Sequence, residues 1–353
     1  MMRKISSLTI ILIFAFANTF YAQNKPYRVG TTACNFLEIG VGGAGNAMGE
    51  AYVSITGDLS SVYWNPAGLA YLEQTEVQFM YQPWYVDTNV GFAGAGIVLP
   101  RVGTFGLNIL SMDFGRTEVT TLEMQEGTGE TYSAGDYAVS LSFGRKLAQW
   151  FAFGATAKWV SSSIWHVSAN ALALDLGVMV NTNFFSFTGK PEDGMTIGMS
   201  ISNYGTKIKY DGIDLLIPVD ILPDEAGNYR DLEAKYSLQG WELPLIFRVG
   251  ASITPIVEEN QKLTLAIDAL HPNNNCESLN LGAEYQLRAM GFGRFFLRGG
   301  YHGLFMDDSQ FGLTLGGGVH LTLMGNRLLK IDYAFKDSEI LGSNSVYTIG
   351  VTF

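Results

Sequence analysis

The four histidines and two cysteines of this sequence are the side chains best suited to nucleophilic, acid–base or metal chemistry. A nucleophilic site needs a nucleophile, a base and a third group that orients the base, all within hydrogen-bond reach. His166, His271, His302 and His320 fall on different predicted strands or loops, so their spacing indicates no such set. His271 is followed by the run 272–276, which is typical of a turn and not of a metal-ligand set. The sequence therefore predicts neither an enzyme nor a metal site.

A glycine-rich run at 40–45 matches the G-x-G-x-x-G fingerprint of dinucleotide-binding proteins. The fingerprint has that meaning only inside a βαβ unit, and no such unit follows here. The run instead predicts backbone that packs closely against another element, followed by a short helix near Ala44–Tyr52, and no cofactor is expected. The net charge of −11, without a basic stripe, excludes nucleic acid as a partner.

The elements that position these residues begin after an export signal. A basic start at Met1–Lys4, an apolar stretch at Ile5–Phe20 and a polar change after Tyr21 predict a secretory signal peptide over residues 1–22. A membrane anchor is the alternative, but the stretch is shorter than the about 20 residues that a spanning helix needs.

Apolar residues after the signal alternate with small and polar ones along nearly the whole chain. Alternation of this kind predicts strands with one face in lipid and one face in a polar lumen. About fourteen strands are predicted, near 75–86, 90–99, 102–113, 132–145, 148–164, 171–182, 193–205, 243–253, 262–271, 277–287, 294–302, 310–323, 328–337 and 345–353. The predicted fold is an all-β transmembrane protein, an antiparallel outer-membrane barrel of about fourteen strands over residues 75–353.

The last strand carries the clearest form of this pattern. Tyr347, Ile349, Val351 and Phe353 share one apolar face, and the chain stops on the aromatic ring. We predict that this strand closes the barrel against a first strand near Val77–Tyr81, and that it acts as a terminal assembly signal.

The opposite faces of the strands carry charges of both signs among small residues. Two interpretations remain open: a polar permeation path, or a lattice of ion pairs that braces a plugged barrel. The inward candidates are Lys158, Asp175, Arg248, Asp268, Glu284, Arg298, His320, Lys330 and Asp332.

Connection lengths predict an orientation. Long polar connections at 114–131 and 206–242 both follow odd-numbered strands, whereas turns after even-numbered strands are short. Short periplasmic turns and long external loops are usual in outer-membrane barrels. We therefore expect both long loops to be external. The apolar content of 206–242 indicates a folded flap that faces a partner.

Residues 23–74 do not follow the strand pattern and are predicted to form an N-terminal hatch, or plug, inside the barrel. The motif residues are Met48, Gly49, Asn65, Pro66, Ala67, Gly68 and Leu69. With the approach Gly30–Gly42, the sequence Met48–Val53 and the run Tyr63–Leu69, this segment resembles the hatch of the FadL-type outer-membrane barrel superfamily. Within that superfamily the chain is most similar to the PorV/PorQ family. Glu50 stands where a small residue is commoner in that family. Cys34 stands before the hatch motif and Cys276 on the outer loop after the ninth predicted strand. We predict that the two cysteines lie near opposite ends of the barrel and are not bridged.

The resemblance implies a hatch-filled fourteen-stranded barrel in the outer membrane. PorV-type proteins are non-enzymatic components of type IX secretion that bind cargo by its C-terminal domain, and PorQ-type proteins hold a partner of the attachment complex. FadL-type relatives instead take up fatty acids and other hydrophobic compounds. The expected partners are therefore outer-membrane lipid and secretion-system subunits or cargo domains. The alternative partner is a hydrophobic small molecule.

Overall fold

The fold was analysed in a computed structural model that describes residues 28–190, 193–224, 232–306, 309–323, 327–338 and 340–353. The predicted signal peptide lies outside these residues. Among the residues described, no helix is both long and apolar enough to cross a membrane. The helices are α1 (Gly43–Ala47) and α2 (Ser61–Trp64), with 3-10 turns at Asn35–Glu38, Pro66–Tyr71 and Ile213–Leu215. The strands are β1 (Glu76–Pro83), β2 (Asn89–Leu99), β3 (Gly103–Glu118), β4 (Thr131–Ala148), β5 (Phe151–Ile164), β6 (Val167–Asn181), β7 (Thr196–Gly205), β8 (Asp211–Gly212), β9 (Leu216–Val219), β10 (Leu232–Lys235), β11 (Ile246–Val257), β12 (Gln261–Pro272), β13 (Ser278–Ala289), β14 (Gly293–Leu304), β15 (Leu313–Thr322), β16 (Leu328–Ser338) and β17 (Gly342–Thr352).

Fourteen of the strands in the described part of the chain form a closed antiparallel barrel. Strands β1–β7 and β11–β17 each pair with their neighbours in order, β7 pairs with β11, and β17 returns to β1. The closing pair matches Val77 with Val351, Phe79 with Ile349 and Tyr81 with Tyr347. The predicted fold class, strand number and closing pair are therefore confirmed.

The alternation of residue types is an alternation of environments. On β6, Leu172, Leu174 and Leu176 are exposed on the outer surface, whereas Ala173 and Asp175 are buried in the lumen. Exposed leucines in a regular band are stable only where the surrounding medium is apolar. The outer face of the barrel is therefore the lipid-facing face.

Strands β3 and β6 are each longer at one end than the sequence predicts. Strand β3 extends to Glu118 instead of residue 113, and β6 begins at Val167 instead of residue 171. The additional residues include Gly115, Arg116 and Thr117, which do not continue the apolar alternation. Apolar alternation marks only the part of a strand that faces lipid, whereas backbone hydrogen bonds continue into water.

The two ends of the barrel differ. The connections 119–130 and 206–245 lie at one end, here called the long-loop end. The turns 100–102 and 149–150 and the C-terminal Phe353 lie at the other, here called the short-turn end. The predicted loop 206–242 contains β8, β9 and β10, so it is a folded element.

Candidate functional site

Residues 28–72 run through the barrel lumen from the long-loop end to the short-turn end. At the long-loop end, the Ala33 amide donates to the carbonyl of Glu242, 3.0 Å away, in the connection 206–245. At the short-turn end, the Pro66–Tyr71 turn packs against β4, β5 and β6. Between these points most side chains are buried. This run is called the N-terminal segment below.

The motif residues Met48 and Gly49 follow α1, which packs against β14–β17. The amide of Gly49 donates to Thr314 Oγ1 at 2.9 Å, and that hydroxyl donates to the Ala47 carbonyl at 2.9 Å. Gly49 has a φ of +63°, and an added Cβ there would lie 2.6 Å from the carbonyl oxygen of Leu281. Only glycine combines this backbone conformation with so close an approach to the wall.

Asn65 joins the N-terminal segment to itself and to the wall. Its side-chain oxygen accepts from the Ala67 amide at 3.1 Å and so begins the Pro66–Tyr71 turn. Its amide nitrogen donates to the carbonyls of Val53 (2.9 Å) and Val178 on β6 (3.0 Å). Leu69, within this turn, is fully buried.

Glu50 forms the central ionic contact between the N-terminal segment and the wall. Its carboxylate lies 2.6 Å from the Lys336 ammonium on β16 and 3.7 Å from His302 Nε2. The same ammonium donates to Asn46 Oδ1 at 2.9 Å. Burial by itself raises the pKa of Glu50, but the neighbouring His302 and Lys336 side chains outweigh this effect and lower the pKa to about 2. Glu50 is therefore ionised at neutral pH.

Asp268, a predicted lumen residue, also holds the N-terminal segment. Its Oδ2 accepts from the backbone amides of Tyr52 (2.7 Å) and Val53 (2.8 Å). Arg248 lies beside the same segment, with its guanidinium 5.5 Å from the ring centre of Tyr63.

The other predicted lumen charges lie in short ion pairs. Lys158 Nζ is 2.6 Å from Asp175. Arg298 bridges Glu284 (2.7 Å) and Asp332 (2.5 Å). His320 Nε2 lies 3.3 Å from Asp332, and Lys330 lies 2.8 Å from Glu76 while donating to the Gly57 carbonyl at 3.0 Å. This geometry matches the bracing interpretation of the inward charges better than an open polar path.

Sequence reasoning missed Lys336, Glu76 and the Glu50 contact. A signal for Lys336 was present, because it shares the even-numbered, inward face of β16 with Lys330 and Asp332. The sequence did not show that Glu50 is the partner of Lys336, since the two residues are 286 positions apart in the chain.

Small wall residues mark where the N-terminal segment touches the barrel. An added Cβ at Gly282 would lie 2.6 Å from the Met48 carbonyl oxygen, and one at Gly316 would lie 2.5 Å from Ala47 Cβ. Added Cβ atoms at Gly154 and Gly300 would overlap the backbone of the segment. These four residues are called the contact glycines below.

Little space remains between the segment and β2–β5, whereas an open cavity of about 350 Å³ lies at the long-loop end, lined mostly by polar residues such as Arg28, Lys207 and Glu242. A cavity between the segment and β2–β5 has a volume of about 20 Å³. That is close to the space one water molecule needs. It is lined by Leu37, Val41, Val62, Tyr63, Phe92, Asn108, Leu110, Ala138, Ser140, Thr156 and Lys158. Within the described part of the chain, no group of histidine, cysteine and carboxylate side chains is placed to hold a metal ion.

The connection 206–245 is held by hydrogen bonds near both of its ends. Ile208 and Trp241 exchange backbone hydrogen bonds of 2.8 Å. Strand β8 pairs with the start of β6, and His166 Nδ1 lies 3.0 Å from Asp214. Strands β9 and β10 form a hairpin beyond these anchors. Apolar side chains on and beside it, including Ile213 and Tyr236, are exposed.

The two cysteines are both free, in agreement with the sequence prediction that they are not bridged. The prediction that they lie near opposite ends of the barrel is wrong. Asn274 lies two residues before Cys276, and Thr32 lies two residues before Cys34. The Asn274 side-chain amide donates to Thr32 Oγ1 at 2.9 Å. Both cysteines therefore belong to the long-loop end, because the N-terminal segment starts there.

The C-terminal residue is part of the barrel rim. The Phe353 amide donates to the Thr75 carbonyl at 2.8 Å, and the Arg327 guanidinium lies 5.7 Å from its ring centre. The ring itself is exposed on the outer surface.

Deletion of Phe353 is expected to lower the amount of folded protein in the outer membrane by about tenfold or more, if the terminal aromatic strand is recognised during insertion. Heat-modifiability of the barrel in isolated membranes measures this. Phe353→Tyr, which keeps an aromatic ring, is the control and should insert normally. Normal insertion of the deletion variant would contradict the assembly-signal role.

The lipid-facing outer surface and the antiparallel closed sheet define an outer-membrane β-barrel. The chain belongs to the family described as "Type IX secretion system protein PorV", whose sequence profile matches residues 21–222, more than half of the chain. No curated protein sequence matches it.

Solved structures with the same fold have low sequence identity to this chain. The CymD monoaromatic hydrocarbon channel is similar with a TM-score of 0.57 and 12% identity, over 89% of this chain and 98% of that one. The Pseudomonas putida toluene transporter TodX gives a TM-score of 0.53 and 12% identity, over 88% and 96%. A Pseudomonas aeruginosa FadL homologue gives 0.52 and 12%, over 89% and 98%. At this identity the likeness establishes the fold and not the cargo.

Proposed function

We propose that the protein is a non-enzymatic component of type IX secretion in which the barrel is a closed carrier and the connection 206–245 is the docking surface. The N-terminal segment serves as the hatch that keeps the lumen closed. The long-loop end faces the cell exterior. The partner is a secretion-system subunit or the C-terminal domain of a cargo protein.

The exposed hairpin β9–β10 is the observation that supports docking there most directly. A two-stranded hairpin is marginally stable alone and has two edges with unpaired backbone groups. Its apolar neighbours Ile213 and Tyr236 are exposed in the connection 206–245, outside the barrel strands. A partner that covers them would bury apolar surface and satisfy the free strand edge.

Uptake of hydrophobic compounds, the alternative function, has less support from the lumen. A fatty acid or an aromatic hydrocarbon needs an apolar cavity of roughly 300 Å³ or more. The cavity between the N-terminal segment and β2–β5 has a volume of about 20 Å³, and the cavity of about 350 Å³ at the long-loop end is open and lined mostly by polar residues. The remaining wall carries the ion pairs of Lys158, Arg298 and Lys330.

Replacing the exposed apolar side chains of the hairpin region is expected to release the partner while leaving the barrel intact. The variant I213S/Y236S should recover at least tenfold less secretion-system subunit or cargo domain in pull-downs from intact outer membranes. Mutation of exposed anchors in a docking surface typically costs 1–3 kcal/mol each, which is enough for this loss.

The matched control is L122S, because Leu122 is an exposed apolar residue of the other long connection, 119–130. Heat-modifiability should show a folded barrel in both variants. Equal recovery of partner with wild type and I213S/Y236S would contradict docking at the hairpin.

A further inference from the structure

The connection 182–195 is the longest at the short-turn end, and it exposes three phenylalanines. Phe184, Phe185 and Phe187 have exposed fractions of 70%, 63% and 65%. The neighbouring turn adds Leu147 and Trp150, which are also exposed. The proposed docking function at the opposite end gives these side chains no role.

Several backbone groups of this connection are hydrogen-bonded within it. The Thr182 amide donates to the Met195 carbonyl at 2.9 Å, and the Met195 amide donates to the Phe184 carbonyl at 2.8 Å. The Ser186 hydroxyl donates to the Lys190 carbonyl at 2.7 Å. Backbone that satisfies its own hydrogen bonds while presenting phenyl rings is suited to an apolar medium.

Phe185 also adopts an unusual backbone conformation, with a φ of +56°. Bulky residues rarely occupy this left-handed region, because it costs conformational energy. The turn thus keeps this aromatic ring exposed although the backbone conformation is unfavourable. Contact of the ring with an apolar medium would offset that energy, whereas contact with water would not.

The connection is continuous with the lipid-facing surface of the barrel. Strand β6 ends one residue after Val180, which pairs with Ile197 on the outer face. The Asn181 amide donates to the Trp150 carbonyl at 2.8 Å, so the connection lies directly beside the exposed Trp150 ring. Aromatic rings at this level of a barrel normally lie among lipid headgroups and the first acyl carbons.

We propose that residues 182–190 form a membrane-interface foot, with the rings of Phe184, Phe185 and Phe187 inserted into the phospholipid leaflet at the short-turn end. The exposed Lys190 lies three residues beyond Phe187, where its ammonium pairs with a lipid phosphate. The foot fixes the tilt and depth of the barrel on the β4–β7 side. It does not depend on the secretion role.

A spin label at position 185 tests the proposal. F185C is made in a C276S background, and native Cys34 stays unlabelled because burial and the charge of Asp136 raise its pKa to about 12. The purified protein is reconstituted into phospholipid vesicles with a water-soluble nickel chelate on both sides. The ratio of oxygen to nickel collision rates is then measured.

The matched control is E259C, because Glu259 is exposed in the polar turn 258–260 at the same end. We expect the ratio at position 185 to exceed that at 259 by about tenfold or more, since oxygen partitions into lipid and the chelate does not. F187C should give the same result and guards against misfolding of the first variant. A ratio equal to the control would overturn the foot. So would a label shielded from both reagents, because a protein surface would then cover the rings.

Discussion

Gly300→Ala is expected to loosen the N-terminal segment within an otherwise intact barrel. An added Cβ at this contact glycine would overlap the backbone at Met48 and Gly49, neither of which can move without breaking the bond between Gly49 and Thr314. Overpacking of this kind costs about 1–3 kcal/mol. Hydrogen exchange at the Gly49 amide should therefore accelerate roughly five- to 150-fold.

The neighbouring glycine provides the control. Gly299 faces the outer surface, and an added Cβ there would lie 3.5 Å from Leu315 Cδ2, an ordinary contact. Gly299→Ala should leave exchange at Gly49 unchanged. Similar acceleration in both variants would show that general loss of strand structure, and not the contact with the segment, is measured.

Glu50→Ala is expected to have the largest effect of any single change in the lumen. The substitution leaves the buried Lys336 ammonium with Asn46 as its remaining hydrogen-bond acceptor. Breaking one side of a buried ion pair costs about 3–5 kcal/mol, because the remaining charge has no compensation. The segment should become accessible to added protease, while the barrel strands stay resistant.

The double variant E50A/K336M separates charge from packing. It removes both charges, so most of the lost stability should return. A double variant as unstable as Glu50→Ala would mean that the carboxylate acts through packing and not through Lys336.

The Glu50 contact also predicts a pH dependence. The pKa of Glu50 in the folded protein, about 2, is below its usual value of 4.5. The pair is therefore fully stabilising above about pH 4.5, and its contribution is lost as the pH falls towards 2. Exchange protection of Gly49, corrected for intrinsic rates, should fall across this window in the wild type. The part due to Glu50 should be absent in Glu50→Gln.

The barrel was predictable because the environment of each strand residue can be read from the alternation of residue types along that strand. Alternation of apolar and polar residues follows from one face in lipid, and the pairing of Phe79 with Ile349 follows from matching apolar faces. The ends of β3 and β6 were not predictable in the same way, because outside the membrane a strand needs hydrogen bonds but no apolar face.

The lumen was predictable only in part. Parity along each strand identified Asp268 and Lys330 as inward, but not which groups they contact. Asp268 accepts hydrogen bonds from backbone amides of the N-terminal segment. Almost every residue type has a backbone amide, so the sequence of the segment does not show this contact. The position of the segment along the barrel axis depends on the registers of all fourteen strands, because these determine which wall residues face it. It could not be predicted from the segment alone. The location of Cys34 was mistaken for this reason.

The contact glycines have a consequence for what an emptied lumen would carry. Where the N-terminal segment withdrew, Gly154, Gly282 and Gly300 would present bare peptide groups, and Asp268 and Lys336 would lose their partners. Water would wet this part of the wall, because charges and peptide groups can hydrogen-bond to it. This part of the lumen would therefore suit an extended polypeptide or a hydrated solute better than a hydrocarbon.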